Sequence, residues 1–251
     1  MPSTLAALFS VLLIFSGEMA YAQAQASPSS LRVAGIATAI NKDGSLGQLL
    51  YHEQHDITRQ QHSVLYTDAQ GRALARKQID YPRGRTLPEF QLDDLIHQRR
   101  SGSEWHKGYF LIYQQNGDKK RTTKVIEPDA QTSIDAGFDN YIRQHWSELV
   151  AGKTLPIKLV VADPLVVLPM SIAEVSAAQT DIPQRSGRYR YFLVNGSNVL
   201  TRWALPTLQL AYDRDSHLLQ VYQGPSNILG NKGKVQDVNI QYTYTPLPAQ
   251  Q

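Results

Sequence analysis

From Leu31 onward the sequence is a succession of short runs of β-branched, aromatic and aliphatic residues, each closed by a turn-forming cluster. Leu31–Ile40 and Leu49–Thr58 are split by Asn41-Lys42-Asp43-Gly44-Ser45. His62–Asp68 and Arg72–Tyr81 flank Ala69-Gln70-Gly71, a hairpin signal with glycine where φ turns positive. Tyr109–Gln114 and Thr122–Ile126 flank Asn116-Gly117-Asp118, and Leu208–Tyr212 and Leu218–Tyr222 flank Asp213-Arg214-Asp215-Ser216. The last run alternates, with Val238, Ile240, Tyr242 and Tyr244 on one face and Asp237, Asn239 and Gln241 on the other. Strands this short, joined by tight turns, pair with their neighbours in antiparallel fashion, and a sheet of about ten to twelve of them must curl, split or close.

One segment breaks the pattern. Phe138, Ile142, Trp146 and Leu149 recur at helical spacing, so one amphipathic helix over about 134–151 is expected. Ser133 or Asp135 can cap its start and Gly152 its end. The expected fold is therefore mainly β: a single curved antiparallel sheet or incomplete barrel, with that helix packed against it. A two-sheet sandwich is the alternative.

The first 22 residues are a different material. Leu5–Phe15 is an uncharged apolar core too short for the roughly 20 residues a bilayer span needs, and it leads to Ala20-Tyr21-Ala22, a small-x-small cleavage pattern. These residues read as a signal peptide, although no Lys or Arg precedes the core. Residues 23–30 (QAQASPSS) read as a flexible lead-in, and 31–246 as a single β-rich domain with no internal repeat. Cleavage removes Glu18 and no base, leaving 25 Lys and Arg against 21 Asp and Glu. With no stable membrane span after cleavage, the periplasm is the expected compartment. The absence of cysteine excludes disulfides, thiolate catalysis and Cys-ligated zinc. The densest basic run, Lys119-Lys120-Arg121, adjoins a turn and reads as a solvated hairpin tip, not a nucleic-acid surface.

Catalytic motifs are sparse. In His52-Glu53-Gln54-His55 the spacing of three on a strand sends the two histidines to opposite faces, so these rings and nearby His62 read as solvated or edge-strand residues, not metal ligands. Gly224-Pro225-Ser226-Asn227-Ile228 lacks the final glycine of a nucleophile elbow and no helix follows it, so it reads as a turn. Asp93-Asp94 reads as solvated loop, and the Arg76, Gln78 and Asp80 face as solvent-exposed strand. No cofactor cradle is present.

The segments Leu50-Tyr51-His52-Glu53, Gly71-Arg72-Ala73-Leu74-Ala75-Arg76-Lys77, Asp135-Ala136-Gly137-Phe138-Asp139 and Leu210-Ala211-Tyr212-Asp213 resemble uncharacterised signal-peptide-bearing proteins of Gram-negative bacteria. That resemblance covers most of the mature chain, implies export, and supplies no catalytic residues. In outline the expected fold is also similar to the half-barrel of periplasmic lipoprotein carriers, though no motif is shared. The functional expectation is a non-enzymatic envelope protein binding an apolar or lipid-like molecule between helix and sheet, against Phe138, Trp146, Trp203, Tyr212 and Tyr222. The alternatives are a hydrolase-type enzyme using Asp80, Asp93 or Asp135 on an envelope substrate, and an assembly factor that adds an edge strand to a protein partner.

Overall fold

A computed structural model describes residues 31–58, 61–185, 187–197 and 205–246. The expected signal peptide, the lead-in and Trp203 lie outside the described residues.

The fifteen strands of the described residues belong to one sheet. The first eight run as an antiparallel meander: β1 (Leu31–Ile40), β2 (Leu46–Ile57), β3 (His62–Thr67), β4 (Ala73–Asp80), β5 (Glu89–Asp94), β6 (Arg99–His106), β7 (Tyr109–Asn116) and β8 (Thr122–Ile126). Then come β9 (Thr132–Ile134), helices α1 (Gly137–Gln144) and α2 (Trp146–Val150), and β10 (Leu155–Val161), which pairs with β9 in parallel. β11 (Val166–Val175), β12 (Tyr189–Gly196), β13 (Leu208–Asp213), β14 (Leu219–Pro225) and β15 (Asp237–Pro246) complete a second meander. The two meanders join where β1 pairs with β15, Leu31 opposite Pro246 and Ala39 opposite Val238.

This order forces curvature. The two edges of the sheet, β8 and β9, are consecutive in the chain and separated only by residues 127–131. Laid flat, fifteen strands would put these edges roughly 65–70 Å apart at the usual interstrand spacing. A link of that length spans at most about 20 Å. The sheet therefore curls until its edges nearly meet, and it stays open, because β8 and β9 do not pair. Side chains reach across the seam: Arg99 of β6 binds Asp163, between β10 and β11, at 2.5 Å, and Lys124 of β8 donates to the Leu165 carbonyl at 3.5 Å.

Two apolar clusters fill the curl. One joins Tyr51, Val64, Tyr66, Phe90, Phe110 and Ile112 of the first meander to Ile134, Val160 and Ile240. The other packs Tyr141, Ile142, Trp146 and Leu149 of the helices against Phe192, Leu210 and Tyr212. Tyr222 and Tyr242 touch both. A smaller cluster lies on the opposite face of the second meander, where Ile182 covers Tyr191, Ala211 and Val221.

The helical stripe is buried as expected, but the helix is broken in two at His145, whose φ of −101° and ψ of 17° leave the helical range. Its ring bonds Glu148 at 3.0 Å and lies 4.5 Å from the Tyr141 ring, contacts that hold the break. Neither residue expected to cap the start does so. Ala136 holds the N-cap position with no side-chain hydrogen bond, because the Asp135 carboxylate is turned to Lys77 instead. Gly152 ends the second helix at φ +85°.

Candidate functional site

The inward face of the first meander is unusually polar for a core. Alternation puts Tyr51, Glu53 and His55 of β2 on that face, and the antiparallel register brings His62 of β3 beside them, opposite Ile57. Glu53 is only 6% exposed. Room for it comes from Gly35 of β1, directly opposite. A Cβ there would lie 3.0 Å from the Tyr242 ring and 3.2 Å from the Glu53 carboxylate.

These residues form one hydrogen-bonded chain. Glu53 Oε2 meets His55 Nε2 at 3.0 Å, His55 Nδ1 meets His62 Nε2 at 3.1 Å, and His62 Nδ1 meets the Tyr81 hydroxyl at 2.9 Å. Tyr81, just beyond β4, stacks on the His62 ring at 6.2 Å, and the Arg85 guanidinium lies over the Tyr81 ring at 5.2 Å. Burial pushes the His62 pKa down to about 3, helped by the positive charges of His55, Lys77 and Arg85. Burial likewise pushes the Tyr81 hydroxyl up to about 12, with Arg85 pulling the other way. The hydroxyls of Tyr51, Tyr66 and Tyr242 are held well above their ordinary range by burial first and the Glu53 charge second.

Beside this chain is a buried ion pair. Lys77 of β4, 2% exposed, binds Asp135 and lies 4.6 Å from the Phe90 ring centroid. Asp135 holds a φ of +50°, a strained backbone for a non-glycine residue, and that conformation precedes α1 where the carboxylate meets the ammonium.

Two cavities open onto this interior. The larger, about 300 Å³, sits at the mouth formed by the end of β2, the start of β3 and the β4–β5 connection. Its walls are Thr58, Gln61, His62, Asp80, Tyr81 and Arg85 over an apolar patch of Ile57 and Ile79. The smaller, about 130 Å³, lies at the opposite mouth by the seam, where Asp94, Arg99, Asp135, Asp163, Ser226 and Asn227 meet. Burial raises the Asp163 pKa and Asp94 adds to it, against the opposing charge of Arg99.

The residues expected to wall an apolar cavity are placed otherwise. Phe138 and Tyr222 meet at 6.2 Å, and Trp146 packs on Phe192, Tyr212 and His217 at 5.4, 5.9 and 4.0 Å. The Tyr212 hydroxyl donates to Asp139 at 3.1 Å and that of Tyr222 to the Pro225 carbonyl at 2.8 Å. None of these four lines either cavity. The three carboxylates considered for catalysis share no cavity: Asp80 is at the larger mouth, Asp135 at the smaller, and Asp93 binds Arg100 at 2.5 Å.

The histidine reading needs correction. His55 and His62 are not solvated edge residues but half-buried inner ones, because the β2–β3 register carries His62 across the hairpin to His55. The even spacing of Glu53 and His55 was the available signal. Ser226 is a turn residue as expected, and it is buried, bonded to the Tyr51 hydroxyl at 2.8 Å. Among the described residues no group of three or more histidine and carboxylate side chains gathers as a metal site.

These features define an open, β-barrel-like protein whose curled sheet encloses helices on one side and a charged, hydrogen-bonded interior on the other. In accord with that class, the fold is similar to the crystal structure of a β-barrel-like protein of a domain of unknown function, DUF1849, from Brucella abortus. The TM-score is 0.52 at 8% sequence identity, over 86% of this chain and 96% of that one. At that identity the likeness is one of fold. No family model matches the sequence, and no curated protein matches it.

Proposed function

We propose that the protein is an exported binding protein of the bacterial periplasm, non-enzymatic, which takes a small anionic ligand at the larger mouth. Arg85 carries this reading. It stands at the cavity wall, over the Tyr81 ring, and makes no ion pair with a described residue. An unpaired guanidinium is a preformed fork for a carboxylate or phosphate oxygen. The volume of about 300 Å³ is at the lower end for ligand sites, and the walls are mainly polar. A lipid-like ligand under the helices has less support, since the aromatic side chains there pack ring on ring. Export rests on the Leu5–Phe15 core and Ala20-Tyr21-Ala22.

Both parts are testable. N-terminal sequencing of the protein from a periplasmic extract should begin at Gln23 or within about two residues of it; an intact Met1 there would refute the cleaved signal peptide. NMR titration with short carboxylates should shift the Tyr81 and His62 ring signals, and Arg85→Gln should abolish the shifts. Shifts that survive in R85Q would refute the anion site.

A further inference from the structure

The hydrogen-bond chain behind the cavity has a direction, and the direction is set by its buried end. An ionised carboxylate only accepts, so Glu53 requires a proton on His55 Nε2. With His55 neutral, its Nδ1 is bare and must accept from His62 Nε2. With His62 neutral, its Nδ1 is bare in turn and must accept from the Tyr81 hydroxyl. Every donor is then used inward, and the Tyr81 oxygen, on a residue of the cavity wall, has only lone pairs left to offer.

We propose that this relay makes Tyr81 the specificity-determining residue of the mouth cavity, selecting a carboxylate that carries a hydrogen-bond donor, and that one added proton removes that preference. The proposal rests on the anion site at Arg85. In the neutral relay the ligand's carboxylate meets Arg85 while its hydroxyl or ammonium donates to Tyr81. When one proton enters from the cavity, Tyr81 passes its own proton to His62 Nδ1, and His62 passes its Nε2 proton to His55 Nδ1. His55 is then an imidazolium between Glu53 and His62, and the Tyr81 hydroxyl points into the cavity as a donor. Three relay protons have become four, and none is lost. The pocket now asks for an acceptor, which a plain carboxylate supplies.

The surrounding charges disfavour a positive charge on His62. Lys77 and Arg85 oppose a positive charge on it, and Asp135 alone partly offsets them at His62. Tyr242 packs edge-on against His55 at 6.2 Å, and the Glu53 charge is felt at Tyr51, Tyr66 and Tyr242. Asp56 on β2 feels the His55 charge, and Asp139 and Arg143 of α1 act in opposite senses on Tyr81.

The test uses alanine, lactate and propionate, which share a carboxylate and chain length and differ only in an ammonium, a hydroxyl or a hydrogen. In ¹⁵N-histidine NMR of the wild-type protein at pH 8, both rings should show the Nε2–H tautomer. On acidification both should move together, in a single step. Alanine and lactate should bind roughly fivefold tighter than propionate at pH 8, about one hydrogen bond's worth. That preference should vanish at pH 5, and it should be absent at both pH values in Tyr81→Phe. An Nδ1–H tautomer in either ring at pH 8, separate titrations, or a lactate-to-propionate ratio indifferent to pH would overturn the relay. If the tautomers are as drawn and none of the three acids binds, the anion site is refuted and the relay's ligand choice with it, whereas wrong tautomers beside Arg85-dependent binding would overturn the relay alone.

Discussion

At the scale of single residues, the interior is held by pairs that are costly to break one member at a time. Asp135→Asn would leave the Lys77 ammonium buried without its counter-charge, and the expected loss is about 3–5 kcal/mol in urea unfolding. Replacing both partners together, Lys77→Met with Asp135→Asn, should recover part of that loss. A double mutant as unstable as D135N would show that the pair is not the source. His62 gives a second expectation. Its folded pKa of about 3 lies below the unfolded value near 6.5, so between these pH values the unfolded state binds more protons. Stability should therefore fall as pH drops through this window, by roughly 3 kcal/mol between pH 7 and pH 4 from this group. The His62→Gln protein should show a correspondingly shallower pH dependence of unfolding.

At the scale of elements, the helices are anchored by rings and not by caps. Trp146 is 8% exposed between Phe192, Tyr212 and His217, so Trp146→Ala should cost about 3–5 kcal/mol. Glu148→Ala, whose exposed carboxylate meets His145 and Lys153, should cost under about 0.5 kcal/mol by the same denaturation measurement. Equal losses would mean that the buried stripe is misassigned. The stripe was legible because a period of 3.6 survives a local break, and for the same reason the break was not: α2 continues the spacing after His145. The hairpins at Gly71 and Gly117 were legible too, since φ values of +80° and +53° demand what the turn residues offer. The relay was not. Glu53 and His55 share a face by spacing alone, but His62 joins them only through the β2–β3 register, which no local pattern states.

At the scale of the whole molecule, local strand signals indicate a curled sheet but not its seam. The pairing of β1 with β15 and the parallel β9–β10 pair are long-range choices. The sequence-distant β1–β15 contact is also the one that welds the two meanders. Because Leu31 pairs with Pro246, the two ends of the described chain are adjacent in space, while residues 127–131 join two strands that do not pair at all. The chain is thus cut in the middle of its own sheet order and linked across its gap. Joining residue 246 to residue 31 by a short linker and reopening the backbone between Asp129 and Gln131 would give a circular permutant. Reading from β9 through β15 to β1 and on to β8, its strands would follow the sheet from edge to edge. The β1–β15 pairing, now made at the greatest sequence separation, would become a hairpin. Lower contact order should speed folding, so stopped-flow refolding of the permutant should outpace that of the parent chain. The gap in the barrel is therefore the place where this fold can acquire new termini without losing a single strand pair.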